Sequence, residues 1–165
     1  MLQIAFKNGG NDYLMPEVRT MSRKLQIVVL ACQQALPEPG RLAATLGNSD
    51  FKGRVVAEPC SSKVEVFQML RILSTEADLL WIIGCPEELC RFTEGSFRMG
   101  RRVDYARNYL AEIGLETQRL GMSRIPPGDE QALTEAAAEM QRLARSLGPN
   151  PARSGSPGGE GVSKP

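Results

Sequence analysis

Four cysteines, Cys32, Cys60, Cys85 and Cys90, stand in a chain of 165 residues that contains no histidine. The absence of histidine excludes a Ser-His or Cys-His catalytic pair, a His-bound haem and any zinc site with an imidazole ligand. Chemistry in this chain falls to thiols, carboxylates, amines or a borrowed cofactor. The spacing C-x27-C-x24-C-x4-C is not that of a zinc ribbon, which shows two close pairs. Nor does the segment after Cys32, Gln33-Gln-Ala-Leu-Pro-Glu-Pro-Gly40, offer a GxGxxG or GxxxxGK[ST] phosphate loop.

The elements that must position these thiols are legible as an alternation. Leu25-Gln-Ile-Val-Val-Leu-Ala31 is short, apolar and β-branched, as a buried strand requires. Arg41 to Gly47 reads as a short helix, and Arg54 to Ala57 as a second strand. Ser62 and Glu65 suggest a capping box opening a helix with Val66, Phe67, Leu70 and Leu73 on its apolar face. Leu79 to Ile83 is a third strand. A long helix follows from about Ser96 to Ile113, with Val103, Ala106, Tyr109, Leu110 and Ile113 on one face. A weak fourth strand lies near Arg119 to Ile125, and Pro126-Pro-Gly-Asp129 forms a turn and cap. In the last helix Leu133, Ala136, Ala137, Met140, Leu143, Ala144 and Leu147 follow the i, i+3, i+4 rule. Alternating strands and helices predict a single three-layer α/β domain with a parallel, flavodoxin-like sheet of order 2-1-3-4.

That order carries the chemical argument. Each cysteine falls at or just past the carboxyl end of a predicted strand, and in a parallel sheet those ends share one edge. Neighbouring strands are about 4.8 Å apart, so Cys32, Cys60 and Cys85 start close together, and the loop Gly84-Cys-Pro-Glu-Glu-Leu-Cys90 can return the fourth. Four readings stand: small buried residues, a four-cysteine zinc site, a [2Fe–2S] cluster or a disulfide pair.

Residues 1–24 read as an N-terminal arm, residues 25–148 as the domain, and residues 149–165 as a disordered tail, since 11 of those 17 are Gly, Pro or Ser. The net charge of +1 implies no bulk attraction to nucleic acid. No secretory signal or run of about 18 apolar residues is evident, so a cytoplasmic protein without direct membrane insertion is expected.

Gly84-Cys85-Pro86-Glu-Glu-Leu-Cys90, Phe92-Thr-Glu-Gly95, Arg101-Arg102-Val103, Ile113-Gly114 and Leu147-Gly-Pro-Asn-Pro151 together resemble the delta subunit of methyl-viologen-reducing hydrogenase, from about Leu25 to Pro151. The resemblance implies one [2Fe–2S] cluster on Cys32, Cys60, Cys85 and Cys90. It implies a subunit, not itself catalytic, that relays electrons in an anaerobic redox complex. The partners implied are an oxidoreductase such as a hydrogenase or formate dehydrogenase and a flavoprotein of the heterodisulfide reductase A type. The family pattern commonly begins Cys-x-x-Cys; here it reads Cys32-Gln33-Gln34-Ala35, so the four remaining cysteines suffice for one cluster and none is spare. A four-cysteine zinc or metal-free adaptor is the alternative. Arg91, Arg98, Arg101 and Arg102 are candidates for tuning a negative cluster or docking an acidic partner. Trp81 and Phe97 are read as packing residues rather than electron conduits, and Glu87 and Glu88 as solvated loop carboxylates.

Overall fold

The computed structural model describes residues 23–48 and 50–153. Its order is β1 (Leu25–Cys32), α1 (Pro39–Leu46), β2 (Phe51–Glu58), α2 (Val66–Thr75), β3 (Leu79–Gly84), α3 (Gly95–Glu112), β4 (Leu120–Arg124) and α4 (Glu130–Leu147). The four strands pair in parallel in the order β2-β1-β3-β4, so the expected α/β architecture and strand order are present. The side chains of β1 alternate between two cores. Ile27 and Val29 pack with Leu42 and Leu46 of α1 and with Ala136, Met140 and Ala144 of α4. Val28 and Leu30 pack with Met69 and Leu73 of α2 and with Met99, Val103 and Leu110 of α3. Helices on both faces make the three layers, and they explain why β3 is apolar throughout and β1 from Ile27 onward. Among the described residues no helix is long and apolar enough to cross a membrane.

Three local expectations change. Ser62 does not begin a helix: Ser61–Lys63 is a short 3-10 turn, and the capping box belongs to Glu65 and Gln68, one turn later. Arg102 holds this turn by donating to the Ser62 and Val64 carbonyls. Phe67 is 69 % exposed, and Tyr109 and Ile113 are 39 % and 71 % exposed. Ile113 is the C-cap of α3, where the backbone leaves the helix, and Leu115 takes the inner place.

The amino edge of the sheet is closed by one carboxylate. Asp78, just before β3, is 1 % exposed. It accepts from the backbone N–H of Gln26 at 2.7 Å and of Asn150 at 2.9 Å, and pairs with Arg23 at 2.9 Å and Arg153 at 2.6 Å. Asn150 is fully buried and donates its amide to the Leu73 carbonyl in the last turn of α2, a group that helix ends leave without a partner, and to the Ala77 carbonyl just beyond it. The buried Arg119 guanidinium reaches the Asp78, Leu147 and Gly148 carbonyls. Packing thus continues five residues past Gly148, to Arg153; the rest of the proposed tail, and residues 1–22 of the proposed arm, lie outside the described residues.

Removing one partner from a buried charge cluster strands the others, at a cost of about 3–5 kcal/mol. Asp78→Ala should lower the unfolding free energy by about that much in urea titrations, whereas Arg23→Ala, on a side chain 46 % exposed, should cost about 1 kcal/mol or less. Equal effects of the two substitutions would show that Asp78 does not organise this edge.

Candidate metal centre

The sheet delivers three thiols to one place. Cys32 ends β1 and is paired with Glu58 of β2. Cys60 lies two residues past β2, and Cys85 directly follows β3. Because β1 lies between β2 and β3, Cys32 is flanked by the other two. After Cys85 the chain makes the turn Glu87–Leu89 and returns with Cys90. All four cysteines line one cavity of about 310 Å³, together with Gln33, Gln34, Pro59, Arg91 and Phe92. Cys32, Cys60 and Cys85 are buried and Cys90 is partly exposed; all are free thiols.

The start of α3 is built around these sulfurs. The Cys90 sulfur accepts from the backbone N–H groups of Phe92, Gly95 and Ser96, two of which open the helix, so the partial positive charge of the helix start faces the sulfur. The fully buried Ser96 donates its hydroxyl to the Cys85 carbonyl at 2.5 Å, tying the start of the loop to the same helix. Gly95 sits tightly against two sulfurs. A Cβ there would lie 3.3 Å from both the Cys60 and the Cys90 sulfur, so the backbone itself forms part of the wall. The Cys60 sulfur lies 3.1 Å from the Ser62 hydroxyl, and the neighbouring Ser61 Oγ is buried with no partner among the described residues.

These surroundings separate two adjacent thiols. Burial above all, then the hydrogen bond with Cys90 and the like charge of Cys32 and Cys90, pushes the Cys85 thiol up to about 12. Burial also opposes ionisation of Cys90, but the N–H groups of Phe92 and Ser96, the Cys85 thiol and the Gly95 N–H together outweigh it and hold Cys90 below the ordinary thiol value. Of the two, Cys90 is the thiol more readily ionised and Cys85 the one that keeps its proton. Binding a metal group must expel the remaining protons.

The residues present fit an all-thiolate group. The donors are four sulfurs around a common space, N–H groups aim at one of them, and a glycine leaves the wall thin between two. Among the described residues no three cysteine, aspartate or glutamate side chains converge as ligands of one metal ion; the thiols ring the cavity.

The four candidate arginines divide. Arg91 lines the thiol cavity. Arg98 lines the adjoining cavity with Cys60 and Gly95 and pairs with Glu94 at 2.7 Å. Arg101 borders a groove with Phe97 and Glu87. Arg102 is occupied by Glu65 at 3.2 Å and by the turn carrying Ser62, so it supports the Cys60 segment. Ala35, where the family pattern commonly has a second cysteine, is buried and lines a different cavity with Leu36 and Ile125. Trp81 is 7 % exposed and donates to Ser123 at 2.9 Å, a packing role, whereas Phe97 is 49 % exposed. Sequence reasoning reaches the helix start near Ser96 as a source of positive partial charge; it misses the closeness of Gly95 to two sulfurs and the bond from the Ser96 hydroxyl to the Cys85 carbonyl.

The family model described as "Methyl-viologen-reducing hydrogenase, delta subunit" matches residues 27–148. The chain is 33 % identical over 98 residues to the D-type iron-sulfur subunit of the F420-non-reducing hydrogenase vhu of Methanococcus maripaludis, covering 59 % of this chain and 73 % of that one. It is 27 % identical over 131 residues to the protein of the same name from Methanopyrus kandleri, covering 78 % and 98 %. Over 96 residues it is 26 % identical to the A-type subunit of the ferredoxin:CoB-CoM heterodisulfide reductase of Methanosarcina mazei, covering 58 % of this chain but 12 % of that larger protein.

In metal-stripped, reduced protein, iodoacetamide should label Cys90 first, and its labelling rate should hold up as the pH falls below about 8.5, the ordinary thiol value. Cys85 should label more slowly than Cys90, since its thiolate is scarce anywhere below about 12. Mass spectrometry of the labelled peptides reads this order, and faster labelling of Cys85 than of Cys90 would contradict the arrangement.

Proposed function

The chain belongs to the delta-subunit family of methyl-viologen-reducing hydrogenase, and on that footing we propose that it is an electron-transfer subunit of a multi-subunit oxidoreductase, holding one [2Fe–2S] cluster on Cys32, Cys60, Cys85 and Cys90. The observation that carries the reading is the convergence of all four cysteines on one cavity at the carboxyl edge of the sheet. Four thiolates are the ordinary ligand set of such a cluster. A single zinc ion also takes four thiolates; the iron-sulfur names of the relatives from Methanococcus maripaludis and Methanopyrus kandleri favour the cluster.

When bound, the cluster supplies storage and release of one electron at a time. The protein's part is electrostatic and steric. The N–H groups of Phe92, Gly95 and Ser96 support negative charge on Cys90, and the depth of Cys32 and Cys85 keeps water from that side. Arg91 places a cation at the cavity wall. No base or nucleophile beside a substrate pocket is part of this reading; the protein relays electrons and does not itself transform a substrate.

The partners proposed are an oxidoreductase of hydrogenase or formate dehydrogenase type as one neighbour, and a flavoprotein of the heterodisulfide reductase A type as the other. Two observations support them. The iron-sulfur relatives from Methanococcus maripaludis and Methanopyrus kandleri belong, by name, to hydrogenases, and a stretch similar to this chain is built into a much larger heterodisulfide reductase component. Phe92 lines the thiol cavity and Leu89 lies in the loop between Cys85 and Cys90, 62 % and 56 % exposed; Arg91 lines the same cavity and Arg98 the adjoining one, and Phe97, 49 % exposed, borders a separate groove. Exposed aromatic residues with arginine are the composition of interface centres.

Protein purified without oxygen should be coloured, contain about two irons per chain and give an electron paramagnetic resonance signal on reduction with dithionite. Stoichiometric zinc in colourless protein would overturn this reading in favour of a structural adaptor.

A further inference from the structure

We propose that Arg124 is a positioning residue for the group held by the four cysteines, and that Arg124 and Glu87 set its reduction potential in opposite directions. The inference rests on the electron-transfer reading and extends it to residues outside the ligand set. Arg124 is the last residue of β4. Its Nη2 pairs with Glu87 at 2.8 Å, in the turn between Cys85 and Cys90. Its Nε donates to the Ser96 hydroxyl at 3.3 Å, and that hydroxyl donates onward to the Cys85 carbonyl at 2.5 Å. The Ser96 N–H is among the donors to Cys90. One guanidinium therefore joins the edge strand, the cysteine loop and the start of α3.

Gly100 is independent support. It lies inside α3, where glycine costs about 1 kcal/mol relative to alanine. A Cβ at Gly100 would lie 2.7 Å from the Arg124 Nη2, so the glycine leaves the space in which the guanidinium crosses the helix. The blocking atom would meet the far end of a flexible side chain, so alanine there displaces Arg124 without disturbing the backbone.

The electrostatic sign follows. A four-thiolate cluster becomes more negative on reduction, and a nearby cation favours the reduced form. Glu87 compensates Arg124 in part. Asp104 and Arg107, which border the same groove, are themselves paired at 3.5 Å. Arg124 and Glu87 are 40 % and 45 % exposed, so the effect is modest and should shrink as salt is added.

The test is a dithionite titration of Arg124→Gln, Arg124→Lys, Glu87→Gln and Gly100→Ala in the full chain, followed by electron paramagnetic resonance, with thermal melting alongside. Arg124→Gln and Gly100→Ala should lower the potential, by up to about a tenfold change in the reduction equilibrium, which is about 59 mV for one electron. Glu87→Gln should raise it, and Arg124→Lys should stay near the parent. Gly100→Ala should melt no lower than the parent, which separates charge displacement from damage to the fold. A Gly100→Ala protein with full iron and an unshifted potential overturns the inference, as do Arg124→Gln and Glu87→Gln shifting the same way. A parent chain with no reducible iron overturns the electron-transfer reading first and this inference with it, so the two failures are distinguishable.

Discussion

Thiols gathered at one buried edge resist carrying charge together, and much of this structure answers that constraint. A thiolate out of water needs compensation. At Cys90 the compensation is backbone: the N–H groups of Phe92, Gly95 and Ser96 at the start of α3. At Cys85 none is sufficient, and its proton is held up to about 12. The start of α3 is therefore an electrostatic fixture, with Gly95 close against two sulfurs and Ser96, wholly buried, donating its hydroxyl to the Cys85 carbonyl.

The fold separates this fixture from its own anchorage. The thiols occupy the carboxyl edge of the sheet, while Asp78 at the opposite edge gathers Arg23, Gln26, Asn150 and Arg153. Both flanks of the domain are thus pinned away from the cysteines, and the exposed rim of Leu89 and Phe92 stays clear of the described ends of the chain. That division suits the proposed role, in which the cysteine edge meets other proteins. It also suits the occurrence of a similar stretch inside a much larger component of heterodisulfide reductase.

Repeating patterns were legible in the sequence, and side-chain networks were not. Nearly continuous apolar runs located β1 and β3, and the 3.6-residue period located α4, with Asp129 as its cap accepting from the Ala132 N–H. Strand ends placed the four cysteines on one edge, and the cavity they share follows from the strand order. Periodicity misled at Tyr109 and Phe67, because a helical face says nothing of how far the neighbouring helix or sheet extends to cover it. The capping signal at Ser62 was displaced because Arg102, forty residues on, claims the Ser62 carbonyl. Arg119, Arg124 and Asn150 act through partners distant in sequence, and a single sequence holds no local sign of such contacts.

The central claim is that the four cysteines hold one group together and that none is spare. The most direct measurement replaces Cys32, Cys60, Cys85 and Cys90 with serine one at a time and determines iron and the reducible paramagnetic signal per chain in each anaerobically purified variant, with folding checked by circular dichroism. The account predicts that every one of the four folded variants loses or grossly alters the signal. A variant that keeps both the full iron content and the unaltered signal would show that its cysteine is not a ligand and would contradict the account.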